Sequence, residues 1–153
     1  MRPSKLKGGL SMDIEGYSYP EGLYYHKEHF WAKVEGNTVT VGTTDFAQKQ
    51  AGQIVFVELP SPGKTIEQGK PCGSMESGKW VGRIYPPVSG KVESVNQELE
   101  DTPELVNESP YEKGWMFKVT ASNLQEELKG LMQINSLPEF IKSEVVRVQS
   151  LKK

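Results

Sequence analysis

The chain has 153 residues, enough for one domain with a sizeable core. A 36% hydrophobic content, a mean hydropathy of −0.53 and a formal charge of −2 argue against a membrane span, which needs roughly 20 apolar residues, and against the clustered cations of a nucleic-acid surface. The single cysteine, Cys72, excludes an internal disulfide framework and any Cys-based zinc cluster, and cytoplasm is the simplest expected compartment.

Residues 1–16 are polar, glycine-containing and aperiodic, and they read as a flexible N-terminal extension without the apolar core of a secretory signal. From Tyr24 onward the pattern is β-like. His29–Val34 and Asn37–Gly42 read as strands joined by the turn Glu35-Gly36-Asn37. Thr44–Gln50 reads as one helical turn with Thr44 as N-cap. Ile54–Leu59 is a strand ended by Pro60 and the turn Ser61-Pro62-Gly63. Pro71–Ser77 and Val81–Tyr85 bracket a turn, and Lys91–Val95 and Trp115–Thr120 complete the strands. The stretch Glu98–Asp101 reads as a solvated acidic loop.

The last third changes period. Ser122 and Gln125 have capping-box spacing, and Leu124, Leu128, Leu131 and Met132 recur at helical intervals. A helix over about Asn123–Gln133 is expected, broken by Leu137-Pro138 and followed by a shorter amphipathic stretch through Phe140, Ile141, Val145 and Val148. The divisions are therefore 1–16, a principal domain over 17–133, and a helical extension over 134–153. An internal echo, Gly52-x-Ile54-x-x-Val57 and Gly90-x-Val92-x-x-Val95, places two similar β units on either side of Lys79.

Lys79 lies in ESGKW, between two apolar β segments, where a Ser77-Gly78 turn pushes the side chain away from the core. An exposed lysine on a stiff tip offers an amine for acylation. His26 and His29, placed in a strand, would face opposite sides with no acid converging on them, so they read as packed or surface residues. Cys72 reads as a small buried residue, and Trp31 and Trp115 as core aromatics. No nucleophile–base pair or metal set can be assembled, so catalytic and metal-binding residues are both expected to be absent and the chain reads as a non-enzyme.

Five ordered segments closely resemble the H protein of the glycine cleavage system: Tyr25-x-x-x-His29-x-Trp31, VGTTDFAQ (Val41–Gln48), GQIVFVELPSPG (Gly52–Gly63), ESGKW…YPPVSG (Glu76–Gly90) and PELVNESPYEKGW (Pro103–Trp115). The resemblance implies a mainly β barrel-sandwich hybrid of two antiparallel sheets with a C-terminal helix. It implies lipoate in amide linkage to Lys79, with Glu76 and Gly90 at the positions read by the lipoyl ligase or octanoyltransferase. The implied partners are a PLP-dependent glycine decarboxylase, an aminomethyltransferase and dihydrolipoyl dehydrogenase.

Three positions depart from that pattern. Where such proteins usually place an acid, a histidine and an aspartate around the aminomethyl cargo, this chain has Phe30, Gln50 and Arg83, and Trp80 stands beside the lysine. A cation repels an amine-bearing cargo and favours an anion. These residues are candidate arm or cargo contacts. They open a second reading as a lipoyl carrier of sulfur oxidation working with heterodisulfide-reductase-like proteins. A biotin carrier, which usually flanks its lysine with methionines, fits Gly78 and Trp80 poorly, and an unmodified scaffold remains the third class.

Overall fold

The computed structural model describes the backbone of residues 3–6 and 9–151 and the side chains of residues 10–151. The chain enters through β1 (Pro3–Leu6), β2 (Gly9–Ile14) and β3 (Tyr17–Pro20), which form an antiparallel sheet in the order β1-β2-β3. Residues 9–14, expected within a flexible extension, are instead held by pairing with β3, from Ser11 opposite Pro20 to Ile14 opposite Tyr17. Ile14 is only 1% exposed, so this hairpin contributes to the core. Within the expected extension, residues 1, 2, 7 and 8 lie outside the described residues.

The body of the molecule follows. β4 (Tyr24–His26), β5 (Phe30–Glu35), β6 (Thr38–Thr43) and helix α1 (Asp45–Ala51) lead to β7 (Ile54–Glu58) and β8 (Thr65–Ile66). β9 (Gly73–Ser77), β10 (Val81–Ile84) and β11 (Gly90–Val95) precede two single-turn helices, α2 (Glu98–Asp101) and α3 (Leu105–Glu108). β12 (Phe117–Ala121), α4 (Leu124–Leu128), a 3-10 turn at Ile134–Ser136 and α5 (Leu137–Leu151) complete the chain. A six-stranded sheet, β4-β5-β6-β12-β11-β8, and a three-stranded sheet, β10-β9-β7, enclose the main core. The two echo segments enter different sheets, through β7 and β11.

Local chemistry explains the boundaries. β5 starts at Phe30 rather than His29 because His29 takes φ +73° and closes a turn through its N–H to the His26 carbonyl at 2.8 Å. Thr44 caps α1, its hydroxyl accepting the Ala47 N–H at 3.3 Å. The acidic stretch Glu98–Asp101 is a helical turn, not a loop, pinned by buried Leu99 with its carboxylates outward.

The C-terminal third departs most from the expected pattern. α4 ends at Leu128, its N-cap is Asn123, and no side-chain capping bond forms, so the Ser122/Gln125 capping box is not made. The strand-like partner of β4 ends the helical run: Tyr25 and Met132 exchange two backbone bonds of 2.8 and 2.9 Å. The second amphipathic stretch is the longer helix. Leu137-Pro138 begins α5 rather than breaking a helix, because proline in a first turn has no intrahelical N–H to lose. Leu137 and Ile141 of α5 are buried with Ile14, Tyr19, Tyr25, Trp31 and Phe46 in a second core.

Candidate functional site: the lysine hairpin and its flanks

β9 and β10 form a hairpin in which Glu76 pairs with Val81 and Arg83 with Ser74. The Ser77 N–H donates to the Trp80 carbonyl at 2.8 Å, leaving Gly78 and Lys79 at the tip. Gly78 is not in the left-handed region, so the turn does not draw on the positive φ that glycine allows. Ser77 supplies the rigidity instead. Its hydroxyl donates to the Ala51 carbonyl at 2.5 Å and accepts the Lys79 N–H at 3.3 Å, tying the tip to the end of α1.

Lys79 is exposed and forms no ion pair among the described residues. Its methylenes lie over Gly52, the C-cap of α1, where φ is +88°. A β-carbon at Gly52 would stand 3.0 Å from Lys79 Cε, so only glycine leaves this berth open without displacing the side chain. Glu76 is half-buried on β9. Gly90, at the opening of β11, has its own packing reason to be glycine. A β-carbon there would sit 2.1 Å from the Thr120 carbonyl oxygen.

The cargo-contact candidates do not converge. Phe30 is 3% exposed and lies in the main core, so it cannot face an arm on the surface. The Gln50 amide donates to the Tyr17 hydroxyl at 3.1 Å, within reach of the N-terminal sheet. Trp80 is half-exposed and lays its ring on Gly82. Arg83 lines a groove of about 620 Å³ with Lys64, Ser61, Ser74, Glu58 and Cys72. Burial pushes the Cys72 thiol up to about 12, with Lys64 opposing it, so this cysteine is not a nucleophile at neutral pH.

The flank that Lys79 leans toward was not read from the sequence. A groove of about 440 Å³ at Gly52 is lined by Gln48, Lys49, Gln53, Glu104, Asn107 and Glu108. Asn107 fixes its floor. Its amide donates to the Gly52 carbonyl at 2.8 Å and to Gln48 Oε1 at 3.0 Å, and its oxygen accepts the Ile54 N–H at 2.8 Å. The asparagine is present in the segment PELVNESPYEKGW, but only the fold brings it to the lysine.

His29 was expected to lack an acid, and the structure supplies one from α5. Its Nε2 lies 2.8 Å from Glu144 Oε1, and its ring sits between Phe46 and Phe140, at centroid distances of 4.7 and 5.5 Å. Burial lowers the His29 pKa against the opposing pull of Glu144. Among the described residues no group of three or more His, Cys, Asp or Glu is placed to hold a metal ion.

A sequence model of the family described as Glycine cleavage H-protein matches residues 23–144. The chain belongs to that family. The glycine cleavage system H protein of Staphylococcus saprophyticus is 55% identical over 122 residues, covering 80% of this chain and 96% of the relative. The probable glycine cleavage system H protein of Pyrococcus abyssi is 50% identical over 133 residues, covering 86% and 98%. The crystal structure of the Mycobacterium marinum glycine cleavage system H protein aligns with a TM-score of 0.71 at 30% identity, over 82% of this chain and 98% of that one. The fold is the barrel-sandwich hybrid of these H proteins, and the family match runs into α5, as far as residue 144.

Proposed function

We propose that this H-protein family member is a lipoyl carrier, loaded on Lys79 and serving glycine cleavage. The observation that carries the reading is the placement of Lys79: an exposed, unpaired amine on a hairpin tip braced by Ser77 against α1. The surroundings fit a long acyl arm, because Gly52 leaves a side-chain-free berth against which the arm root already lies. When attached, lipoate supplies a dithiolane that accepts a carried group together with electrons and is later reoxidised.

The chain's own residues do the rest. Lys79 contributes the amide nitrogen, and the tip holds it out to the solvent. Glu76 on β9 and Gly90 on β11 are the features a lipoyl ligase or octanoyltransferase would read. Trp80, flat on Gly82, gives that enzyme an apolar surface beside the lysine. The partners in this reading are the PLP-dependent glycine decarboxylase, the aminomethyltransferase and dihydrolipoyl dehydrogenase, in the cytoplasm. No described helix is long and apolar enough to cross a membrane.

The groove that joins Arg83 to Lys64 favours a second reading, an anionic or sulfur-containing cargo handed to heterodisulfide-reductase-like partners.

Intact-mass measurement after incubation with lipoyl ligase and lipoate tests the first reading. One lipoyl adduct is expected on the wild type and none on Lys79→Arg. An unmodified wild type beside a ligase active on a control substrate would overturn it.

A further inference from the structure

We infer that the exposed face of the β10-β9-β7 sheet, at its hairpin end, is the grip for the enzyme that acylates Lys79, with Phe56 and Val81 as apolar anchors on either side of Glu76. This rests on the lipoyl-carrier reading and names the docking surface of the loading enzyme within it.

Val55, Phe56, Trp80 and Val81 are four of the seven large apolar side chains left exposed among the described residues, and the other three, Leu10, Val146 and Leu151, lie apart on β2 and α5. Exposed apolar residues scattered singly are ordinary, whereas four gathered at one end of a small sheet mark a surface built to be covered. Strand register gathers them. Glu76 on β9 stands opposite Phe56 of β7 on one side and Val81 of β10 on the other, so one cross-strand row reads Phe56, Glu76, Val81. A bulge between Ile54 and Phe56 leaves Val55 and Phe56 both exposed while Ile54 and Val57 stay buried. The next row, Glu58, Ser74 and Arg83, is polar, with the Ser74 hydroxyl donating to Glu58 at 3.4 Å. An apolar centre with a polar rim is how a protein-binding patch is built.

Position selects the occupant. Lys79 comes two residues before Val81, and its side chain leans over Gly52, two residues before β7 begins at Ile54. An enzyme that closes on Nζ therefore covers the hairpin ends of β7 and β10, since a specific interface takes about 800 Å² from each partner and reaches well beyond one lysine. Charge selects the enzyme's chemistry. The Glu76 carboxylate makes no ion pair or hydrogen bond among the described residues and stands between two apolar side chains. Covering those flanks excludes water from the carboxylate, so an arginine or lysine of the enzyme meets it with less screening. Phe56 and Val81 thus act partly through Glu76.

The experiment measures lipoylation of the full chain by a lipoyl ligase supplied with lipoate and ATP, read by intact mass over a range of carrier concentrations. Phe56→Ser and Val81→Ser sit at side chains 50% and 69% exposed, so neither change hollows the core. Each is expected to raise KM for the carrier roughly fivefold, the effect of losing an interface anchor, with kcat held within about twofold. Phe56→Leu and Val81→Ile should restore most of the loss. Val146→Ser and Leu151→Ser, comparably exposed on α5, should leave KM where it was. Glu76→Gln should raise KM in the wild-type background and much less in Phe56→Ser/Val81→Ser, where the flanks no longer exclude water. An unchanged KM in Phe56→Ser/Val81→Ser, or the same Glu76→Gln effect in both backgrounds, would overturn the inference. So would a wild-type dimer in sedimentation that the two serines split with KM unmoved, which assigns the face to a second copy. A wild type that an active ligase does not acylate refutes the carrier reading instead. Binding of Lys79→Arg to the ligase then decides the surface: weakening by the two serines upholds it, and binding that they leave unchanged, or no binding, overturns it.

Discussion

His29 Nε2 stands 2.8 Å from Glu144 Oε1 and is the one histidine–carboxylate pair that links the barrel to α5 among the described residues. Arg147 holds the same carboxylate from the next turn at 2.9 Å. The neutral imidazole, stacked between Phe46 and Phe140, donates into a carboxylate kept below its usual range first by Arg147.

That arrangement gives stability a direction with pH. Burial lowers the His29 and His26 pKa values in the folded chain, so the unfolded chain binds more protons as pH falls. Stability is full above the unfolded histidine value of about 6.5 and is lost as pH drops from there through the lower folded values. Glu144, also depressed, adds loss in the same direction below about 4.5. Thermal midpoints between pH 7.5 and 5 should fall, and His29→Gln should flatten the upper part of that slope. An unchanged slope in the variant would refute the assignment.

Gly52→Ala combines a positive φ with contact against the Lys79 side chain, so a loss of about 1 kcal/mol is expected. The same variant should slow acylation of Lys79, because its methylenes must move. Urea unfolding and ligase kinetics by intact mass read the two effects separately.

Gly90→Ala meets backbone rather than a flexible side chain, and about 1–3 kcal/mol of destabilisation is expected from overpacking. A folded variant with normal stability but slow lipoylation would assign Gly90 to ligase recognition alone. A destabilised one establishes the packing role.

Asn107→Ala removes three bonds from the floor of the groove and leaves the Ile54 N–H and Gly52 carbonyl without their partner. About 1–3 kcal/mol of lost stability is expected, read in urea titrations. Asn107→Asp keeps the acceptor for Ile54 and loses the donor, so it should retain part of the difference.

Cys72 should resist alkylation. With its thiol raised to about 12, iodoacetamide at pH 8 is expected to label the native chain slowly and the urea-unfolded chain fully. Rapid labelling of the native chain would contradict its burial.

Much of this was legible in the residues because the causes are local. Thr44 caps α1 as its position implied, and the hairpin around Lys79 follows from two β-rich runs and a short polar turn between them. Other features were not, since they depend on partners far along the chain. The polar segment before Gly16 looks aperiodic until β3 pairs with it, and the leucine spacing after Asn123 cannot announce that Tyr25 will claim Met132.

The amino-acid order alone thus determined the β architecture, the H-protein kinship and the lysine at the tip, because alternation, turn chemistry and motif spacing are written within short stretches. Only the tertiary structure decided what surrounds that lysine. It buried Phe30 in the core, set Arg83 in a groove with Lys64, and carried Asn107, Glu104 and Glu108 to Gly52 from more than fifty positions away. Side-chain contacts across such separations are set by how sheets and helices pack, and no periodicity in the chain encodes them.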